Sequence, residues 1–131
     1  MAKAAKKVQR GQLWEVDFEP KTHKEKFDIR GPGKRGRPAL VMQTNILNGA
    51  GHATTIVIPG TTQVYRDAQG DGYPLRVSVG KLGLQKRETD LLIDQIRTIS
   101  NQRLMGDKPL AELPRTHMKR VEDALRLLTG E

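Results

Sequence analysis

The chain has 131 residues, with 23 Lys and Arg against 15 Asp and Glu, for a net charge of +8 at pH 7. That length fits one domain able to bury roughly two-thirds of the surface its unfolded chain exposes, and the ordinary apolar content excludes a disordered chain. The charge points to a polyanionic partner, and no apolar run approaches the ~18 residues of a membrane-spanning helix. With no Cys, disulfides and Cys-ligated zinc are excluded, which suits a cytoplasmic protein.

Residues 1–9 open as Met1-Ala2-Lys3-Ala4-Ala5-Lys6-Lys7 and are expected to form a flexible basic arm, since they lack the apolar stretch of a secretory signal. One domain is expected over 10–131. Leu13-Trp14-Glu15-Val16-Asp17-Phe18 alternates well enough to predict a first strand, closed by Glu19-Pro20. Residues 19–36 follow as a long loop rich in Lys, Arg and His, and loops of that length are uncommon unless functional. A second strand is predicted at Ala39–Gln43, because Leu40, Val41 and Met42 form a short apolar run and Pro38 fixes an extended lead-in. Arg37 therefore sits at a rigid strand mouth, directly after Gly31-Pro32-Gly33-Lys34-Arg35-Gly36. A planar five-donor cation held there suits a phosphate, although a single Arg before a core strand is also ordinary loop solvation.

A turn built on Asn45, Asn48, Gly49 and Gly51 leads to a third strand, Thr54-Thr55-Ile56-Val57-Ile58-Pro59, rich in β-branched residues. It runs out in Gly60-Thr61-Thr62-Gln63. Two neighbouring hydroxyls beside a glycine that lets a ligand approach can hold phosphate oxygens or a ribose hydroxyl; the same pattern also serves as plain turn capping. A fourth strand is predicted at Tyr73–Val79, after Gln69-Gly70-Asp71-Gly72. The fifth is the apolar run Asp90-Leu91-Leu92-Ile93-Asp94, whose end carries more polar groups (Asp94, Gln95, Arg97, Thr98) than a core strand needs. The chain closes on an amphipathic helix. Met118, Val121, Leu125 and Leu128 lie on one side, Lys119, Arg120, Glu122 and Asp123 on the other, with Pro114 in the first turn and Gly130 at the exit.

His23, His52 and His117 are scattered without ligand spacing, so neither a metal nor another cofactor is expected. Of the few aromatic residues, Trp14 and Phe18 are assigned to the core, and Phe27 in the basic loop is the candidate for stacking on a base. Broad stacking in the manner of an RRM is not expected.

Taken in order, five segments resemble the MazF/PemK (Kid-like) type II toxin endoribonucleases. They are Gly11-Gln12-Leu13-Trp14-Glu15-Val16-Asp17-Phe18-Glu19-Pro20, Arg37-Pro38-Ala39-Leu40-Val41, Ile58-Pro59-Gly60-Thr61-Thr62-Gln63, Asp94-Gln95-Ile96-Arg97-Thr98-Ile99 and Arg103-Leu104. The resemblance implies a mainly β (α+β), compact SH3-like barrel of the PemK/MazF/CcdB type with a C-terminal amphipathic helix, working as a homodimer. It implies an mRNA interferase: sequence-specific, metal-independent cleavage of single-stranded mRNA with no cofactor. It also implies restraint by an acidic antitoxin, with operator DNA reached only through that antitoxin and no membrane partner. Arg37 and Thr61 match the family's catalytic pair, and Asp94 matches an acid that takes part in some members. Lys24, Lys34, Arg35, Thr62, Gln63 and Arg97 are expected to contact RNA.

Two departures stand out: the loop between the first two strands is longer than usual across Lys24–Gly36, and Lys24 stands, beside His23, where some members carry a functional His. The general base stays open. A guanidinium keeps its proton near neutral pH, whereas Asp94 is the simpler base if it reaches the 2′-OH. Two alternatives are a gyrase-poison type of toxin on the same fold and an inactive basic RNA-binding barrel. The first is disfavoured by the tail Leu127-Leu128-Thr129-Gly130-Glu131, which lacks an aromatic tip, and the second by the joint presence of Arg37 and Thr61.

Overall fold

The computed structural model describes residues 7–18, 36–62, 75–83 and 87–130. Lys24, Lys34, Arg35, Gln63, His23, Phe27, Tyr65 and Tyr73 lie outside the described residues, as does most of the predicted basic loop.

The described chain forms strands β1 (Gln12–Asp17), β2 (Gly36–Val41), β3 (Thr54–Thr61), β4 (Arg76–Gly80), β5 (Thr89–Leu92), β6 (Arg97–Ser100), β7 (Leu104–Met105) and β8 (Ala111–Glu112). Two helices join them, α1 (Asn45–Gly49) and α2 (Arg115–Thr129). The sheet is ordered β4-β5-β3-β2-β1-β7, with β6 also on β3 and β8 also on β1, and its pairings are antiparallel. One side of β3 is shared by two strands: Val57 pairs with Arg97 of β6, and Gly60 with Leu91 of β5. A 3₁₀ turn at Ile93–Gln95 separates those partners, so the sheet curls there into a half-barrel.

Strand alternation sorts the side chains onto two faces. Leu13, Leu40 and Ile58 are successive cross-strand partners on one face, all fully buried, and Trp14, Ala39 and Pro59 are the partners on the other. The first face packs against α2, where Val121 and Ala124 are buried and Met118, Leu125 and Leu128 lie against the core. The predicted helical stripe is therefore the packed one, with Ala124 added. Gly130 ends α2 at φ 93°, its N–H donating to the carbonyls of Arg126 and Leu127; a left-handed residue there suits glycine. The second face holds a smaller cluster of Val8, Trp14, Val16, Phe18, Ala39, Val41, Val57, Ile99 and Leu104.

Several boundaries shift from those predicted. The strand Ala39–Gln43 starts earlier, at Gly36, because Gly36 to Leu40 pair with β1; pairing with β3 begins only at Ala39. Pro38, which has no amide proton, precedes that second ladder. The third strand continues through Pro59 to Thr61. Pro59 pairs with Ala39 on one side, and on the other it falls between the end of the β6 ladder and the start of the β5 ladder. The turn predicted around Asn45 to Gly51 contains α1, capped by the Thr44 hydroxyl accepting from the Ile46 amide at 3.3 Å. Pro114 is the N-cap of α2 and not part of its first turn. The fourth strand is Arg76–Gly80, and the predicted run Asp90–Asp94 divides into β5 and the 3₁₀ turn. At the N-terminus Val8 is buried, and the Gln9 amide and Trp14 Nε1 both donate to Gln12 Oε1 at 2.9 Å, so packing begins inside the predicted basic arm.

Candidate active site

Arg37 and Thr61 come from the adjacent strands β2 and β3. The register pairs Ala39 with Pro59, so two more residues along each strand set Arg37 opposite Thr61, with side chains on the same face. The Arg37 guanidinium folds onto that strand end: Nη2 and Nε both donate to the Gly60 carbonyl, at 3.0 Å and 3.3 Å. Both residues are half-buried, leaving a partly desolvated cation beside a hydroxyl at the mouth of the sheet.

Gly60 has a different role from the one its sequence suggests. A Cβ there would come within 2.8 Å of Thr89 Cγ2 and 3.3 Å of the Pro38 carbonyl oxygen. The missing side chain therefore lets β3 pack closely against β2 and β5; the space faces neighbouring chain and not a ligand.

The polar row extends beyond the predicted pair. Thr61 pairs with Asp90 of β5, and Asp90 with Ser78 of β4. Arg37, Thr61, Asp90 and Ser78 thus lie on four neighbouring strands, each about 4.8 Å from the next. Asp90 is 0% exposed, with its Oδ2 4.0 Å from Nη1 of the half-buried Arg76. A carboxylate taken out of water is costly unless paired and hydrogen-bonded, so its position in this row is a marked feature. In the sequence Asp90 stands as the first residue of an apolar run; the signal is a charged residue followed by Leu91, Leu92 and Ile93, a setting where acids are seldom found.

Asp94 is placed elsewhere. It lies in the 3₁₀ turn, exposed, four residues beyond Asp90. There it borders a cavity of about 600 Å³ between Leu75, Arg76, Leu92, Leu127 and Leu128. Thr62 follows Thr61 at the end of β3, half-buried.

Arg97 opens β6, exposed, and joins Arg37 through Phe18. The Phe18 ring centroid lies 5.6 Å from Arg37 Cζ and 5.1 Å from Arg97 Cζ. Phe18 is 4% exposed, as the core assignment from sequence requires, and it also carries two cations. Arg103 closes the far side of β1, its Nη1 donating to the Asp17 carbonyl at 3.2 Å. Among the described residues no group of three or more His, Cys, Asp or Glu gathers as a metal-binding set. No described helix is long and apolar enough to cross a membrane.

Fold and site together define a small basic half-barrel, closed by its own helix on one face and presenting an Arg–Thr pair at a strand end on the other. Residues 9–129 match the PemK-like, MazF-like toxins of type II toxin–antitoxin systems, and the chain belongs to that family. It is 26% identical over 126 residues to the endoribonuclease MazF9 of Mycobacterium tuberculosis (strain ATCC 25618 / H37Rv), covering 92% of this chain and 94% of that protein. Among solved structures it is similar to an endoribonuclease from a mycobacterial species, with a TM-score of 0.67, 19% identity and coverage of 98% and 96%. It is also similar to MazF (Form-I) from Deinococcus radiodurans, with a TM-score of 0.67, 24% identity and coverage of 95% and 97%. A mycobacterial endoribonuclease in complex with its cognate antitoxin matches with a TM-score of 0.65, 20% identity and coverage of 94% and 95%. These likenesses bear out the fold expected from the resemblance.

Proposed function

We propose that the chain is the endoribonuclease toxin of a type II toxin–antitoxin system, cutting single-stranded mRNA at a short sequence without a metal. The observation that carries this reading is the Arg37 guanidinium fixed on the Gly60 carbonyl, one residue before Thr61. In the proposed reaction the substrate's own 2′-oxygen attacks the adjacent phosphorus and loses its proton. The bond from phosphorus to the 5′-oxygen breaks, and that oxygen takes up a proton. The products end in a 2′,3′-cyclic phosphate and a 5′-hydroxyl. Arg37 supplies two donors to the negative charge that grows on the non-bridging oxygens, the kind of preorganised contact that is often the largest single contribution to rate. Thr61 orients either a non-bridging oxygen or the 2′-OH. The carboxylate that assists proton removal is Asp94 by resemblance to the family, with Asp90 closer to Thr61 in strand register.

Thr62, Gln63, Lys24, Lys34, Arg35 and Arg97 are the residues proposed to hold the RNA backbone on either side of the cut. The protein works as a homodimer in the cytoplasm, and an acidic antitoxin occupies the same basic face, since a surface charged for phosphate also attracts carboxylates. One experiment tests the chemistry. A single-stranded RNA with one 2′-deoxy nucleotide just 5′ of the cut is expected to bind and resist cleavage, while the all-ribose strand is cut in excess EDTA to cyclic-phosphate and 5′-hydroxyl ends. Cleavage of the deoxy substrate, or loss of all cleavage in EDTA, would overturn the assignment.

A further inference from the structure

Phe18 follows β1, buried in the smaller core cluster, yet two guanidinium groups from different strands converge on its ring. Arg37 comes from β2 and Arg97 from β6, with β3 between them. Their Cζ atoms lie 5.6 Å and 5.1 Å from the ring centroid, inside the ~6 Å range over which an aromatic quadrupole attracts a cation. The two carbons are thus no further apart than those distances laid end to end. Like charges at that separation repel, and Arg97 forms no ion pair among the described residues. The ring is the contact that both cations share.

We propose that Phe18 is a positioning residue, whose π face preorganises Arg37 and Arg97 as one two-cation site for a phosphate-bearing single strand. This rests on the nuclease reading only for its choice of RNA as occupant. A free arginine side chain loses much rotamer freedom when it grips a ligand. One already seated on a ring loses less, so part of the ordering is complete before the substrate arrives. The ring also contacts the Arg37 guanidinium while its Nε and Nη2 donate to the Gly60 carbonyl. A leucine in place of Phe18 would fill similar space in the core without the negative face.

The test separates shape from electrostatics and does not depend on cleavage. In the unliganded protein the Nε–Hε NMR signals of Arg37 and Arg97 are expected to be displaced by the ring current. Phe18→Leu abolishes that displacement and Phe18→Tyr keeps it. Replacing Phe18 by pentafluorophenylalanine preserves the packing and reverses the ring's electrostatics, so a folded protein is available even if Phe18→Leu unfolds. Both Phe18→Leu and the fluorinated protein should lose about 10-fold in kcat, with Phe18→Tyr restoring the rate. The loss should shrink when Arg97→Ala is already present, as expected for coupled residues. A protein that cuts no RNA would refute the nuclease reading and leave the NMR result to decide this proposal. Unshifted arginine signals in the native protein, or a fluorinated protein with native kcat, would overturn it.

Discussion

The two faces of the sheet are finished in different ways. On one, Leu13, Leu40, Ile58, Leu91 and Ile93 meet Val121 and Ala124 of α2, and the buried cluster is apolar throughout. On the other, Trp14, Val16, Val41, Val57 and Ile99 fill the middle, but toward the end of β3 the side chains become Arg37, Thr61 and Asp90. The same strands supply both faces, so the parity of a residue and its distance from the strand end decide whether it packs in an apolar cluster or joins the candidate site. The apolar packing and the proposed chemistry thereby fall on opposite sides of one sheet, and substitutions should respect that separation.

The largest effect is expected on the polar face. Arg37→Ala should lower kcat by ~100-fold or more, the scale of removing one transition-state donor. Thr61→Val should lose less. Thermal unfolding should move little in either variant, because neither residue contributes to the apolar clusters. A fall in Tm that accounts for the lost rate would erase the distinction between the faces. The converse experiment is Leu91→Ala, which removes a fully buried side chain on the helix-covered face and should cost about 3 kcal/mol of stability. Below its lowered Tm, the rate per folded molecule should match the native protein.

A finer comparison concerns two acids four residues apart. Asp90 is buried in register with Thr61, and Asp94 is exposed on the 3₁₀ turn. Asp90→Asn keeps the shape and removes the charge that faces Arg76 at 4.0 Å. If the carboxylate that assists the reaction belongs to the Arg37–Thr61 row, Asp90→Asn should slow cleavage about 10-fold, a share of the ~100-fold or more that a fully engaged acid or base contributes. Asp94→Asn should then change it by less. The reverse order would return the role to Asp94 and leave Asp90 a structural partner of Arg76.

Much of this arrangement was legible in the sequence, because local patterns carried it. The β-branched run from Thr54 to Ile58, the apolar Leu40-Val41-Met42 and the spacing of Met118, Val121, Leu125 and Leu128 each name an element and its packed side. Arg37 and Thr61 stand out because a proline and a glycine mark their strand ends, and the resemblance to the toxin family is what gives them an expected role. What escaped depends on contacts between distant parts of the chain. The strands β7 and β8 have two residues each and exist only by pairing with β1, so no periodicity announces them. Asp90, 29 positions later in the chain than Thr61, joins the candidate row through its register with that threonine. Phe18 reads as core, and is, but its two guanidinium neighbours arrive from β2 and β6.

The smallest effect should come from the basic loop, and it sharpens the contrast between cations held by the sheet and cations supplied by Lys34 and Arg35. Each phosphate contact on a single strand contributes about 0.7 to the slope of log K against log salt. Replacing Lys34 and Arg35 together by Ala should therefore flatten the slope for RNA binding by about 1.4, and weaken affinity at low salt more than at high salt. Single-turnover cleavage at saturating RNA should stay near native, because Arg37 is the residue proposed to grip the reacting phosphate. Arg97→Ala gives the opposite balance: it removes one contact, flattening the slope by about 0.7, yet it should also slow the chemical step because Arg97 shares the Phe18 ring with Arg37. Equal slope changes with equal rate losses in the two proteins would show that the sheet confers no special role on the arginine it holds.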